Sequence, residues 1–100
     1  MKIEMIIPNN DNDGSDNTQV IEGAVKEMCA LYGGVTAYQA QGYWANAMGR
    51  LYKDDVTVLV SAALESDHWD DLRELGRLVL KNTDQEAVFI ARGDKAEILE

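Results

Sequence analysis

One hundred residues, 46% of them hydrophobic, suffice for one ordinary domain with a real core and exclude a disordered or peptide-like chain. The formal net charge of -9, from 18 acidic and 9 basic side chains, disfavours direct binding to nucleic acid, because such a surface repels phosphate backbones. The same imbalance suits solubility and attraction to a basic protein partner.

The chain opens on "KIEMII", apolar and extended in character, which predicts a first strand from residue 2 that ends at Pro8. The run is too short and too charged for a signal peptide, and the longest apolar segment, "VTVLVSAAL", falls far short of a bilayer span. Cys29 is the only cysteine, so no intrachain disulfide can form. A cytoplasmic protein with no membrane segment is the expectation.

Next comes "PNNDNDGSDNTQVIE", where Asn9, Asp11 and Asp13 alternate ahead of Gly14 as in a calcium-binding EF-hand loop. The eleventh place after Asn9, which such a loop fills with glutamate, holds Val20, and a strand rather than a helix precedes the segment. Asp16 with Gln19 instead reads as a capping-box-like helix start, so no metal is expected. Val20, Ile21, Ala24, Val25, Met28, Cys29 and Tyr32 then recur at helical steps, predicting a first helix closed by Gly33-Gly34, with Cys29 as a small core residue.

Residues from Val35 to Trp44 read as a second strand, "ANAMGR" as a turn, and "DDVTVLVSAA" as a third strand, together a long hairpin. Ser66 or Asp67 is the candidate cap of a second helix carrying Trp69, Leu72, Leu75, Gly76 and Val79 at helical spacing, with Gly76 weakening it. "EAVFIAR" is a fourth strand, and "AEIL" after the Gly93-Asp94 turn an optional edge strand. The order β-α-β-β-α-β within one domain, residues 1–100, predicts an α+β, ferredoxin-like fold: an antiparallel sheet with two helices on one face. Apolar residues on both faces of the middle strands then predict a homo-oligomer, associating through the sheet or the hairpin.

Gln41, Gly42, Trp44, Gly49, Arg50 and the run Val56 to Val60 resemble a family of small uncharacterised bacterial α+β proteins, in which a strand entering Gln-Gly-x-Trp precedes a Gly-Arg turn and an apolar strand. The likeness runs from about Gly34 to Arg92, implies the ferredoxin-like fold and supplies no catalytic residue. The acidic loop lies outside it.

Candidate sites fall into two groups. Tyr38, Tyr43, Trp44, Arg50 and Tyr52 gather aromatic surface and a cation at the hairpin, side chains able to stack a nucleobase, anchor a protein partner or pack a core. Asp11, Asp13 and Asp16, and separately Glu65, Asp67, Asp70 and Asp71, offer acidic surface to a basic partner while also suiting helix N-termini. His68 among its carboxylates lacks a convergent second ligand or nucleophile, and the stripe of Arg73, Arg77 and Lys81 reads as a solvated helix face. With no phosphate loop, paired-cysteine motif or nucleophile elbow, no cofactor and no catalytic residue is expected. The leading expectation is a non-catalytic protein-binding module, a small acidic inhibitor or adaptor of the kind phages encode. The alternative is a small-ligand-binding protein or enzyme with an aromatic pocket at the hairpin.

Overall fold

The computed structural model describes residues 1–100. Seven elements follow in the order β1 (Lys2–Pro8), α1 (Thr18–Tyr32), β2 (Thr36–Ala45), β3 (Leu51–Ala62), α2 (Trp69–Lys81), β4 (Val88–Arg92) and β5 (Lys95–Leu99). The five strands form one sheet ordered β2-β3-β1-β4-β5, antiparallel at every pairing. The α+β class and the ferredoxin-like order stand as expected, with the optional tail realised as the edge strand β5. No helix is long and apolar enough to cross a membrane.

Strict alternation in β1 puts Ile3, Met5 and Ile7 on the helix side, fully buried beside Leu59 of β3 and Ile90 of β4. Ala24 and Met28 of α1 and Leu72, Leu75 and Val79 of α2 complete this core, and Leu99 of β5 joins it. Gly76 is what admits Leu99: a Cβ there would lie 2.3 Å from the leucine Cδ1. Cys29, expected in the core, is exposed, because the buried stripe of α1 runs through Ala24 and Met28 and residue 29 stands a hundred degrees of helix further round. The opposite sheet face carries Ile6, Val58 and Phe89 in one row across three strands, and neither helix lies over it.

Helix ends differ by a residue from the sequence reading. Asn17, not Asp16, occupies the N-cap of α1, while the Asp16 carboxylate accepts the Thr18 N–H at 2.7 Å just outside the helix. His68 caps α2 in the left-handed region, φ 45°, with Asp67 Oδ1 accepting the Trp69 N–H at 3.2 Å and Ser66 Oγ the His68 N–H at 3.2 Å. Asp70 and Asp71 in its first turn and Lys81 in its last complement the helix dipole. Gly33 closes α1 as read, at φ 85°, its N–H bonded to Cys29 O.

The hairpin sets the shape. β2 pairs β3 from Thr36↔Val60 to Ala45↔Leu51, whereas β1 reaches β3 only at Val56 and beyond. Gln41–Ala45 and Leu51–Asp55 therefore project as a two-stranded arm, and the molecule is 43 Å along its longest axis. β3 begins at Leu51, earlier than the acidic pair Asp54-Asp55 suggested, because cross-strand pairing with Tyr43 to Ala45 overrides the weak strand character of "LYKDD". At the tip Asn46 Oδ1 accepts the N–H groups of Met48 and Arg50, and Gly49 takes φ 81°.

Candidate ligand site at the base of the hairpin

Directly paired residues share a sheet face, so Trp44 and Tyr52, opposite each other in the arm, stack with centroids 4.2 Å apart and planes 10° from parallel. Arg50, two residues before Tyr52, holds its guanidinium carbon 5.0 Å from that ring's centroid. Pro8 stands opposite Val56 at the arm's base, and beyond it come Asn12 from the loop after β1 and Gln85, Glu86 and Ala87 from the approach to β4. These residues, with Trp44, Tyr52, Lys53 and Asp54, line a half-open cavity of about 590 Å³. That volume lies within the roughly 300–1,000 Å³ of small-molecule sites.

Of the aromatic and cationic residues singled out at the hairpin, Trp44, Arg50 and Tyr52 come together here. Tyr38 does not: it lies six residues back along β2, opposite Val58 on the uncovered sheet face, and is 48% exposed. Tyr43 alternates to the other face, where its hydroxyl donates to Gln41 Oε1 at 3.3 Å. Pro8, Asn12, Asp54, Gln85 and Glu86 had no signal in the sequence, since each is an ordinary loop or strand residue until the sheet brings it to the cavity.

The acidic residues separate to opposite ends of the sheet. Asp11 and Asp13 lie in the loop after β1, where their carboxylates and that of Asp84 approach within 4.8 Å of one another. Each is engaged in bracing the loop. Asp11 Oδ1 accepts Asn17 Nδ2 at 2.9 Å, Asp13 Oδ1 accepts the Ser15 N–H at 2.9 Å, and Asp84 accepts the Asn12 N–H at 3.0 Å. These bonds hold the Asp11 carboxyl, through Asn17 first, and the Asp13 carboxyl, through Ser15 first, below the usual carboxylate range. Thr18 does the same for Asp16. At the other end Asp67 Oδ2 accepts Arg92 Nη1 at 2.7 Å, and that guanidinium stacks on Trp69 at 4.5 Å. Asp71 stands 3.6 Å from His68 Nδ1, while Asp70 and Glu65 are exposed.

A ferredoxin-like α+β sheet with an aromatic-walled cavity at a projecting hairpin is the class that fold and site define. No family model and no curated protein matches the chain, so the resemblance to the small bacterial family is not confirmed. Among solved structures, a phage SAM lyase in complex with S-methyl-5'-thioadenosine shares the fold with a TM-score of 0.68 at 18% identity, over 98% of this chain and 87% of that one. A phage SAM lyase in its apo state gives a TM-score of 0.70 at 14% identity, over 98% and 86%.

These neighbours overturn the expectation of a non-catalytic protein-binding module or acidic inhibitor. The chains that share this fold over nearly its whole length are enzymes, and one is described with a small nucleoside thioether bound. The alternative, a ligand-binding protein or enzyme with an aromatic pocket at the hairpin, is the reading they favour.

Proposed function

We propose that this chain is an enzyme acting on a small adenosyl ligand, S-adenosylmethionine or a related sulfonium or thioether, held in the cavity at the base of the hairpin. The observation that carries the reading is the stacked Trp44–Tyr52 pair on the wall of a cavity of about 590 Å³, in a fold shared with a lyase that binds S-methyl-5'-thioadenosine. Aromatic faces stack a nucleobase, and they also attract a sulfonium through the ring quadrupole. The lining residues Asp54 and Glu86 add negative charge, and the net charge of -9 favours approach of a cation.

Cleaving a sulfonium carbon–sulfur bond leaves the electron pair on sulfur, while the carbon takes a new pair from an attacking nucleophile or from a neighbouring C–H bond whose proton passes to a base, and the sulfonium cation becomes a neutral thioether. A carboxylate paired closely with the sulfonium would therefore stabilise the ground state more than the transition state and slow the step. An aromatic wall suits the reaction better, since it holds cation and neutral product alike. Trp44 and Tyr52 bind and orient in this scheme, and Asp54 and Glu86, which line the same cavity, raise the local concentration of the cationic ligand.

The test combines a melting-temperature titration with S-methyl-5'-thioadenosine and S-adenosylmethionine and a chromatographic assay for conversion of one to the other. Saturable stabilisation that Trp44→Ala abolishes is expected, because a ligand of the native state alone raises its stability. No stabilisation by either compound and no conversion would remove the reading.

A further inference from the structure

β2 is the outermost strand beyond β3, and its ten residues, "TAYQAQGYWA", contain no Asp, Glu, Lys, Arg or Pro. Charged residues make up 27% of the chain, so their absence along a whole edge is a departure from its own composition. Edge strands ordinarily carry lysine, proline, a bulge or short length to prevent pairing with another chain. β2 has none of these: its register with β3 runs unbroken from Thr36 to Ala45, and every residue but Ala40 and Gly42 is exposed. The other free edge, β5, is five residues long and carries Lys95 and Glu97.

We propose that the β2 edge is a seam at which a second copy of this chain adds a strand to the sheet. Electrostatics select that occupant. A basic foreign partner would be recognised by carboxylates, and β2 offers none, whereas two copies each of charge -9 repel except along a surface without charge. The arm supplies a second reason. Beyond Asp55, whose carbonyl accepts the Asn9 N–H at 2.9 Å, the arm has no third strand beside it, and a two-stranded ribbon is marginal in water until a third strand joins it. A strand on the β2 edge supplies that support and covers Trp44 and Tyr43, which are 53% and 57% exposed. The seam stands whether or not the cavity takes an adenosyl ligand.

Sedimentation velocity of the full chain across a concentration series is expected to give a mass of at least two copies. The double variant Ala40→Lys/Gln41→Lys, its fold checked by circular dichroism, should weaken association about tenfold or more, since like charges would face each other across the seam. Hydrogen exchange on the unaltered chain gives an independent reading. The β2 amides that point away from β3 exchange freely in a monomer and become protected as concentration rises. A monomer at millimolar concentration would overturn the proposal. So would an assembly whose outward β2 amides stay unprotected, or one that the lysine pair leaves intact.

Discussion

Gly76→Ala tests the junction between α2 and the edge strand. At an open helix position that change gains about 1 kcal/mol of helix propensity. Position 76 has no positive φ, so backbone freedom gives glycine no advantage there. The opposing term comes from β5: the new Cβ would stand 2.3 Å from Leu99 Cδ1 and 3.9 Å from Ile90 Cγ2. Carbon atoms prefer roughly 3.5–4.0 Å, so the leucine must yield by more than an ångström. It is 5% exposed and packed in the core, and crowding of this kind costs about 1–3 kcal/mol. The net expectation is destabilisation of about 1 kcal/mol, a fall in Tm of about 4–8 °C for a domain of this size. Urea denaturation of Gly76→Ala, Leu99→Ala and the double variant closes a cycle with the parent. With residue 99 truncated the clash is gone, so Gly76→Ala should then stabilise by about 1 kcal/mol. A substitution that stabilises the parent chain, or acts with equal size and sign in both backgrounds, refutes the reasoning.

The Asp67 carboxyl is held below its usual range by the Arg92 hydrogen bond first, so its stabilisation is present above the unfolded value of about 3.9 and lost as pH falls through the folded one. Arg92→Met should flatten the acid limb of the stability curve below about pH 4, measured by urea denaturation at stepped pH. Tyr32, its hydroxyl donating to Asp67 O at 2.7 Å, has its pKa pushed up to about 12 by burial first and then by the carboxylates of Asp67 and Asp71. A raised folded value means stability held below the unfolded pKa of about 10 and lost as pH climbs through 12. Alkaline difference absorbance should show one late-titrating tyrosine that Tyr32→Phe removes. Asp84→Ala frees the Asn12 N–H that its carboxylate accepts at 3.0 and 3.1 Å, and hydrogen exchange at Asn12 should quicken about tenfold while the core amides keep their protection.

Much of the fold is legible locally because periodicity is written by near neighbours. Alternation in "KIEMIIP" buries Ile3, Met5 and Ile7 together, and the three- and four-residue steps of Leu72, Leu75 and Val79 make one helix face. The element order then leaves few sheet topologies, and the ferredoxin-like one is among them. Part of the site shares this legibility. Trp44, Arg50 and Tyr52 are joined by a single turn, so reading the hairpin is enough to bring them together. Composition groups Tyr38 with them, but six strand residues at about 3.3 Å each carry it some 20 Å away. Tyr43 was separated by the alternation of the strand itself.

Other features depend on pairing between distant segments. Pro8 and Glu86 meet at the cavity because β1 lies between β3 and β4, which sets the loop after β1 beside the approach to β4. Asp84 joins Asp11 and Asp13 for the same reason. Gly76 looks like a defect in its helix until Leu99, from the last strand, is seen to fill the space a Cβ would take. The sequence by itself determined the elements, their order and the aromatic turn, because those rest on interactions within a few residues. Only the tertiary structure decided the cavity, the exposed uncharged edge and the packing at Gly76, because strand pairing brings together residues whose proximity no local pattern encodes.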